Sequence, residues 1–323
     1  MGSLVDGHWQ PRPLDVAGSD GRFRRQESRF RHWVTPDGAP GPTGEGGFPA
    51  EPGRYCLYVS LACPWASRAT MIRRLKGLAD QIELAVTHWH MGDQGWTFAE
   101  GPCVTGDPVN GAAYLHQVYV AARADYTGRV TVPVLWDKVR GTIVSNESAD
   151  ILRMLGSAFD QVGARPLDTY PPDLREEIDA LNARIYACVN NGVYRAGFAT
   201  TQAAYEEAVL PLFETLDWLE DRLARSRYLT GSTLTEADIR LFTTLIRFDA
   251  VYHGHFKCNL RRIVDYPALW RFTRDLYCLP GVAETVNFHH IKQHYYGSHP
   301  SINPSGIVPS GPVLDLGSVD ASG

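Results

Sequence analysis

The run Leu61-Ala62-Cys63-Pro64-Trp65-Ala66 places a thiol directly after the β-rich stretch RYCLYVS and directly before the helical stretch PWASRATMIRRLKG. Pro64 suits the first position of a helix and Gly77 its end, so Cys63 is expected at a strand-to-helix seam. There the unpaired N–H groups of the first turn and the positive end of the helix dipole favour thiolate over thiol, and the thiolate is the nucleophile of sulfur chemistry. Cys63 is therefore the candidate nucleophile, with a buried structural cysteine as the alternative reading. A two-thiol redox site would need a second cysteine at position 66, which is Ala66. A mixed disulfide formed on Cys63 must then be resolved by a thiol from solution, and glutathione is the abundant cytosolic candidate.

Two other stretches bear on the same chemistry. In Val130-Thr131-Val132-Pro133-Val134-Leu135 a proline interrupts an apolar strand. A cis bond at Val132-Pro133 would turn the N–H and C=O of Val132 outward, where another peptide backbone could add like a strand; a proline opening a strand is the plainer alternative. Asn146-Glu147-Ser148 begins a helix. Ser148 and the helix N–H groups could hold a carboxylate and Glu147 an ammonium group, which suits the α-amino acid end of a γ-glutamyl peptide, although the triplet taken alone is simply a helix cap, the commoner reading.

These residues need a scaffold, and the pattern from residue 54 onward supplies one. The strand before Cys63 and the helix after it are followed by an apolar strand from Ile82 to Trp89, an irregular insertion and a helix from Ala112 to Ala122. Strand VTVPVLWD, strand TIVS and helix NESADILRML complete the order βαβ-α-ββα. Past residue 172 the period becomes helical: Leu174, Ile178, Leu181, Ile185 and Cys188 form one stripe, and Tyr205, Val209, Leu212, Leu216, Leu219 and Leu223 another. Thr235 and Asp238 make a capping box for a third helix, and shorter helices are expected from Pro267 to Tyr277 and from Gly281 to Ile291. An all-α second domain follows from this pattern. Residues 1–50, with scattered aromatics and a Gly/Pro-rich stretch lacking the glycine and lysine spacing of a phosphate loop, read as an irregular arm, and residues 296–323 as an extended tail.

Composition narrows the partners. The 323 residues, 44% hydrophobic and 21% charged, can bury a large core divided between two domains. A net charge of −5 offers no basic field for a polynucleotide, so no nucleic-acid partner is expected. No stretch approaches the roughly 18 consecutive apolar residues of a membrane span, and the N-terminal decapeptide lacks the features of a secretory leader, so no membrane partner and a cytoplasmic location are expected. The six cysteines show no zinc-like spacing. His88 with His90, and His290 with His294, share faces but have no evident third ligand, and hydrogen-bonded or solvated rings are the simpler expectation. Arg73-Arg74 and Arg261-Arg262 read as solvated charges.

The motifs CPWAS, GRVTVPVLWD, IVSNES, NNGVYRAGFA, LTEADIRLF, VYHGHFKCN and ETVNFHHIKQHYY, in this order between Trp33 and about Pro304, resemble those of the glutathionyl-hydroquinone reductases, the Xi-class glutathione transferases. The resemblance implies an α/β plus all-α fold: a thioredoxin-like domain over residues 51–156 with a mixed four-stranded sheet, then a helical domain over 170–295 of the glutathione-transferase type. It implies Cys63 as nucleophile and Trp96, Arg129, Val132, Glu147 and Ser148 as glutathione contacts. Tyr194 would transfer the proton, and Tyr252 and Tyr295 would line the acceptor pocket, with Tyr296 as the rival to its neighbour. Glutathione is then a co-substrate with no tightly bound cofactor or metal, the second substrate is a glutathionylated hydroquinone, and the protein is a homodimer. Alternatives within the same fold are an omega-like transferase reducing dehydroascorbate or mixed disulfides, a conjugating transferase, and a non-catalytic glutathione-binding protein.

Overall fold

A computed structural model describes residues 2–11 and 17–317. Residues 1, 12–16 and 318–323, which the sequence reading placed in the arm and the tail, lie outside the described residues. The chain forms two compact units. The first comprises residues 2–11, Gln26–Leu167 and Thr285–His294; the second comprises residues 17–25, Asp168–Glu284 and 295–317.

The first unit is built on β3 (Tyr55–Val59), a strand buried at every position and therefore apolar throughout rather than alternating. It pairs in parallel with β4 (Ile82–Val86), Leu57 opposite Leu84, and antiparallel with β8 (Val134–Asp137), Leu57 opposite Leu135. Strand β9 (Thr142–Ser145) closes the mixed four-stranded sheet in the order β4-β3-β8-β9. Helix α1 (Pro64–Leu75) follows β3, and Gly77 (φ 69°) ends it with the left-handed turn that its missing side chain permits. Helix α1 packs against α3 (Ser148–Ser157), and α2 (Leu115–Ala122) against β9. Strands β5 (Met91–Gly92) and β6 (Gly95–Trp96) make a small hairpin in the insertion after β4.

Several expectations change at their edges. The strand expected to run to Trp89 stops at Val86, and the helix expected from Ala112 begins at Leu115. The strand expected over residues 130–137 is shortened to Val134–Asp137, since Pro133 brings no N–H to a ladder. The arm is not wholly irregular: β1 (Ser3–Val5) and β2 (His8–Gln10) pair across Asp6-Gly7, whose φ angles of 47° and 75° are those of a tight hairpin turn. Strand β1 also pairs with β7 (Gly128–Arg129). Arg73, expected in solvent, is buried and donates to the carbonyls of Ile82 (2.7 Å) and Ala79 (2.6 Å). Arg261 and Arg262 do lie at the surface, beside Asp217 and Asp265.

The second unit is helical. It contains α4 (Arg175–Arg184), a π-helical segment Ile185–Asn190, α5 (Gly192–Gly197), α6 (Gln202–Leu223) and α7 (Glu236–Arg247). A second π-helical segment Phe248–Tyr252 and α8 (Pro267–Tyr277) follow. The Asp238 carboxylate accepts the Thr235 N–H (2.8 Å) and hydroxyl (3.0 Å), which is the box expected at the start of α7. The last helix is α9 (Phe288–Gly297), not residues 281–291: Gly281 takes φ 80°, and the Asn287 side chain accepts the His290 N–H at 2.9 Å to start the helix later. Residues 285–294, read from sequence as part of the helical domain, belong to the first unit, and the boundary falls inside α9. The tail is anchored where it leaves α9, since Ser298 and His299 are buried.

Candidate active site

In the first unit, Cys63 is the N-cap of α1, with extended backbone angles and Pro64 as the first helical residue. Its carbonyl accepts the Ser67 N–H (3.0 Å) to close the first turn, and its own N–H donates to Ser60 (3.1 Å). The side chain is half-buried, and Sγ lies 3.6 Å from the carbonyl oxygen of Val132. The Val132-Pro133 bond is cis. Among the described residues the Val132 N–H donates to no group. The Cys63 sulfur therefore lies against the carbonyl of the residue whose N–H a peptide adding to the Val132 edge would use.

Glu147 is the N-cap of α3: one carboxylate oxygen accepts the Ala149 N–H (3.1 Å), the other the Ser28 hydroxyl (3.0 Å). The cap reading of the triplet is thus met, and the cap together with Ser28 holds the carboxylate in place. Ser148 is buried and takes a bond from Arg68 Nη1 (3.4 Å), which links α1 to the start of α3. Arg129 stands on β7 opposite Ser3. Trp96 on β6 is buried and stacks on His294 of α9, centroids 4.8 Å apart and planes at 25°.

Two histidines of α9, His290 and His294, are structural clamps. His290 Nε2 lies 2.7 Å from the Pro102 carbonyl and His294 Nδ1 lies 2.8 Å from that of Trp89, so each ring presents an N–H to a loop of the insertion that carries Trp96. Burial pushes the His294 imidazole down to about 4, which keeps it neutral. Among the described residues no group of three or more His, Cys, Asp or Glu side chains is arranged to hold a metal ion.

In the second unit, the hydroxyls of Tyr194 and Tyr295 lie 2.5 Å apart and those of Tyr252 and Tyr295 3.0 Å apart. Tyr252 and Tyr295 are buried, and that burial holds both phenols protonated, well above their usual range. Tyr194, half-buried, carries the accessible surface of the cluster. Tyr295 rather than Tyr296 belongs to it: the Tyr296 hydroxyl turns to the Ala250 carbonyl (3.4 Å). Sequence reasoning passed over two residues here. Arg25 lies over the Tyr194 ring at 4.9 Å from its centroid and donates from Nε to Asn191 Oδ1 at 3.0 Å. Asn191 stands three residues before Tyr194 in NNGVYRAGF, a spacing that puts both on one helical face.

A thioredoxin-like unit with a helical unit after it is the fold of the glutathione transferases. Residues 62–158 match the model of the glutathione S-transferase N-terminal domain and residues 202–275 that of its C-terminal domain. The chain belongs to the glutathione S-transferase family, in its Xi class. It is 56% identical over 316 residues to glutathionyl-hydroquinone reductase PcpF of Sphingobium chlorophenolicum, covering 98% of each chain. It is 57% identical to glutathionyl-hydroquinone reductase YqjG of Escherichia coli, over 98% of this chain and 97% of that one. The glutathione-bound structure of YqjG superposes with a TM-score of 0.90 at 55% identity, covering 97% of this chain and 96% of that chain. The Xi-class transferase of Natrialba magadii also gives 0.90, at 47% identity over 98% of this chain and 95% of its own.

Proposed function

We propose that this protein is a glutathionyl-hydroquinone reductase: with glutathione as co-substrate it converts a glutathionylated hydroquinone to the free hydroquinone and oxidised glutathione. The observation that carries the reading is Cys63 at the N-cap of α1 with its sulfur at the Val132 carbonyl and with Ala66 where a resolving thiol would stand. Near-full-length identity to two proteins named for this reaction supports it.

The Cys63 thiolate attacks the glutathionyl sulfur and forms a sulfur–sulfur bond. The ring carbon that bears the sulfur takes up a proton with an electron pair of the ring enol, the carbon–sulfur bond then breaks, and its electron pair restores the aromatic ring. A hydroquinone permits this because its keto tautomer lets the departing carbon leave as an enolate. Tyr194 supplies the proton, being the accessible member of a cluster whose other two phenols remain protonated. A second glutathione thiolate then attacks the mixed disulfide, releases oxidised glutathione and regenerates Cys63, and the proton from that thiol restores Tyr194. The ring gains two electrons and the two glutathione sulfurs lose them.

Val132, Glu147 and Ser148 hold the peptide part of glutathione: the Val132 N–H as a strand-like donor, Glu147 at the ammonium group, and the start of α3 at the carboxylate. Trp96 and Arg129 complete the glutathione contacts, and Tyr252 and Tyr295 act on the hydroquinone through Tyr194. The protein works in the cytoplasm as a homodimer and needs no tightly bound cofactor, as its likeness to Xi-class transferases suggests.

Mass spectrometry after exposure to a glutathionyl-hydroquinone without free glutathione tests the reading. One glutathionyl adduct on Cys63 with an equivalent of free hydroquinone is expected. No adduct, or faster turnover of dehydroascorbate than of the hydroquinone conjugate, overturns it.

A further inference from the structure

The segment Arg22-Phe23-Arg24-Arg25 crowds three cations into four residues, and the structure treats them differently. Arg22 and Arg24 are exposed and paired at the surface, Arg22 with Glu207 (2.9 Å) and Arg24 with Asp20 (2.5 Å). Arg25 turns inward. Its guanidinium lies 4.9 Å from the Tyr194 ring centroid and 5.2 Å from that of Phe23, and Asn191 fixes its Nε at 3.0 Å.

The surroundings make that charge consequential. Around Tyr194 stand Phe23, Phe198 and Phe256, with ring centroids at 6.2, 6.2 and 5.5 Å. A phenolate formed among such rings is costly unless a cation or hydrogen-bond donors compensate. The hydroxyl side of Tyr194 already meets Tyr295, which is in turn bonded to Tyr252. Within the second unit, titratable groups near this cluster include Arg195, 3.8 Å from Glu207, the buried Arg247, whose charge acts on Tyr252, and the buried His255–His299 pair, whose nitrogens lie 3.0 Å apart and whose rings pack on Tyr295. Of these, Arg25 alone sets a cation over the Tyr194 ring.

We infer that Arg25 is a positioning residue that, held by Asn191, packs over the Tyr194 ring and stabilises the negative charge left on the Tyr194 oxygen when its proton passes to the hydroquinone carbon. The inference rests on the proposed role of Tyr194. The bond broken is Tyr194 O–H and the bond formed is ring C–H, with an electron pair of the ring enol; the pair of the cleaved carbon–sulfur bond then restores the aromatic ring. The phenolate then has Arg25 over its face and the Tyr295 hydroxyl as donor, with Tyr252 donating to Tyr295 behind it. The cation lies against the ring and not on the oxygen, so it favours the charged state without competing for the proton.

The test compares Arg25→Met, which keeps length and loses charge, with Arg25→Lys, which keeps charge, and with Tyr194→Phe. Three readings are taken: the pH profile of kcat, the tyrosinate ultraviolet difference spectrum, and KM for a glutathionyl-hydroquinone. In Arg25→Met, removing the cation should lower kcat by about tenfold, raise the alkaline limb of the profile by about one pH unit and leave KM within about twofold. Arg25→Lys should recover most of the loss. The Tyr194 component of the spectrum, identified by its absence in Tyr194→Phe, should move upward with the kinetic limb. An unmoved limb in Arg25→Met, or the same displacement in a Tyr194→Phe background, overturns the inference. Should Arg25→Met fold poorly, Arg25→Gln gives the same charge deletion, and an unmoved limb there has the same consequence. Full turnover by Tyr194→Phe would overturn the proton-donor reading itself, a different result from an inactive Tyr194→Phe beside an Arg25→Met with an unmoved limb.

Discussion

The hydroxyl oxygens of Tyr194 and Tyr295 lie 2.5 Å apart, and Tyr252 approaches Tyr295 from behind at 3.0 Å. The order of these three groups predicts a graded series. Tyr194→Phe removes the group assigned to proton transfer and should lower kcat by on the order of a hundredfold. Tyr295→Phe removes the hydroxyl bonded to Tyr194 and should cost roughly tenfold, the worth of one hydrogen bond at about 1.4 kcal/mol. Tyr252→Phe leaves the Tyr194–Tyr295 pair intact and should cost only a fewfold. Steady-state rates with one glutathionyl-hydroquinone check the series, and equal losses in all three would mean a packing effect.

Cys63 places its sulfur where the Val132 edge would receive a peptide, so binding and chemistry should separate. Cys63→Ser should lose turnover by on the order of a thousandfold or more while still retaining glutathione, because the peptide contacts belong to other residues. Equilibrium dialysis with labelled glutathione measures the second part. Selective alkylation is expected as well: Cys56 and Cys258 are buried, with thiols pushed far up by desolvation, so at neutral pH iodoacetamide should modify Cys63 and leave those two untouched.

The Trp96–His294 stack gives a prediction about pH. His294 binds its proton only near 4 in the folded protein, against about 6.5 in an unfolded chain, so between those values the unfolded state holds more protons. Stability from this group is therefore fully present above pH 6.5 and is lost as the pH falls toward 4, by on the order of 2–3 kcal/mol. Urea midpoints measured across this range should fall on acidification, and His294→Phe, which keeps a ring under Trp96 and removes the titrating nitrogen, should flatten the slope. His294→Ala should raise KM for the glutathionyl substrate severalfold with less change in kcat, since it removes the support under Trp96 and no reacting group.

The parts of this architecture that were legible in the chain are those written locally. The fully apolar run Tyr55–Val59, followed by Cys63 and Pro64, fixes a strand, a seam and a helix within about twenty residues, and the Thr235–Asp238 spacing announces its own cap. The Asp6-Gly7 dipeptide was an equally local hairpin signal, obscured by the loop-like composition around it. Other features depend on partners distant in sequence. Arg73 resembles a solvated cation until Ile82 and Ala79 bring their carbonyls to it. Tyr295 and Tyr296 point about 100° apart on a helix, and only packing decides which one meets Tyr194. The stack of Trp96 on His294 and the approach of Arg25 to Tyr194 leave no periodic trace at all.

Asp238 offers a test of the helical unit alone. Its carboxylate accepts the N–H and hydroxyl of Thr235 and the N–H of Leu229 (2.8 Å), all three donors buried. Asp238→Ala leaves them without acceptors and should cost about 2–4 kcal/mol of unfolding free energy. Burial pushes this carboxyl up to about 6 from 3.8, so the folded state holds the proton more firmly than the unfolded chain does. The sign is opposite to that of His294: the contribution is present below pH 3.8 and is lost as the pH rises through 6. Asp238→Asn has no charge to bury, so its deficit against the parent protein should be smaller at about pH 8 than at about pH 5. A deficit that grows toward alkaline pH would show that the ionised carboxylate, held by its three donors, is the stabilising form.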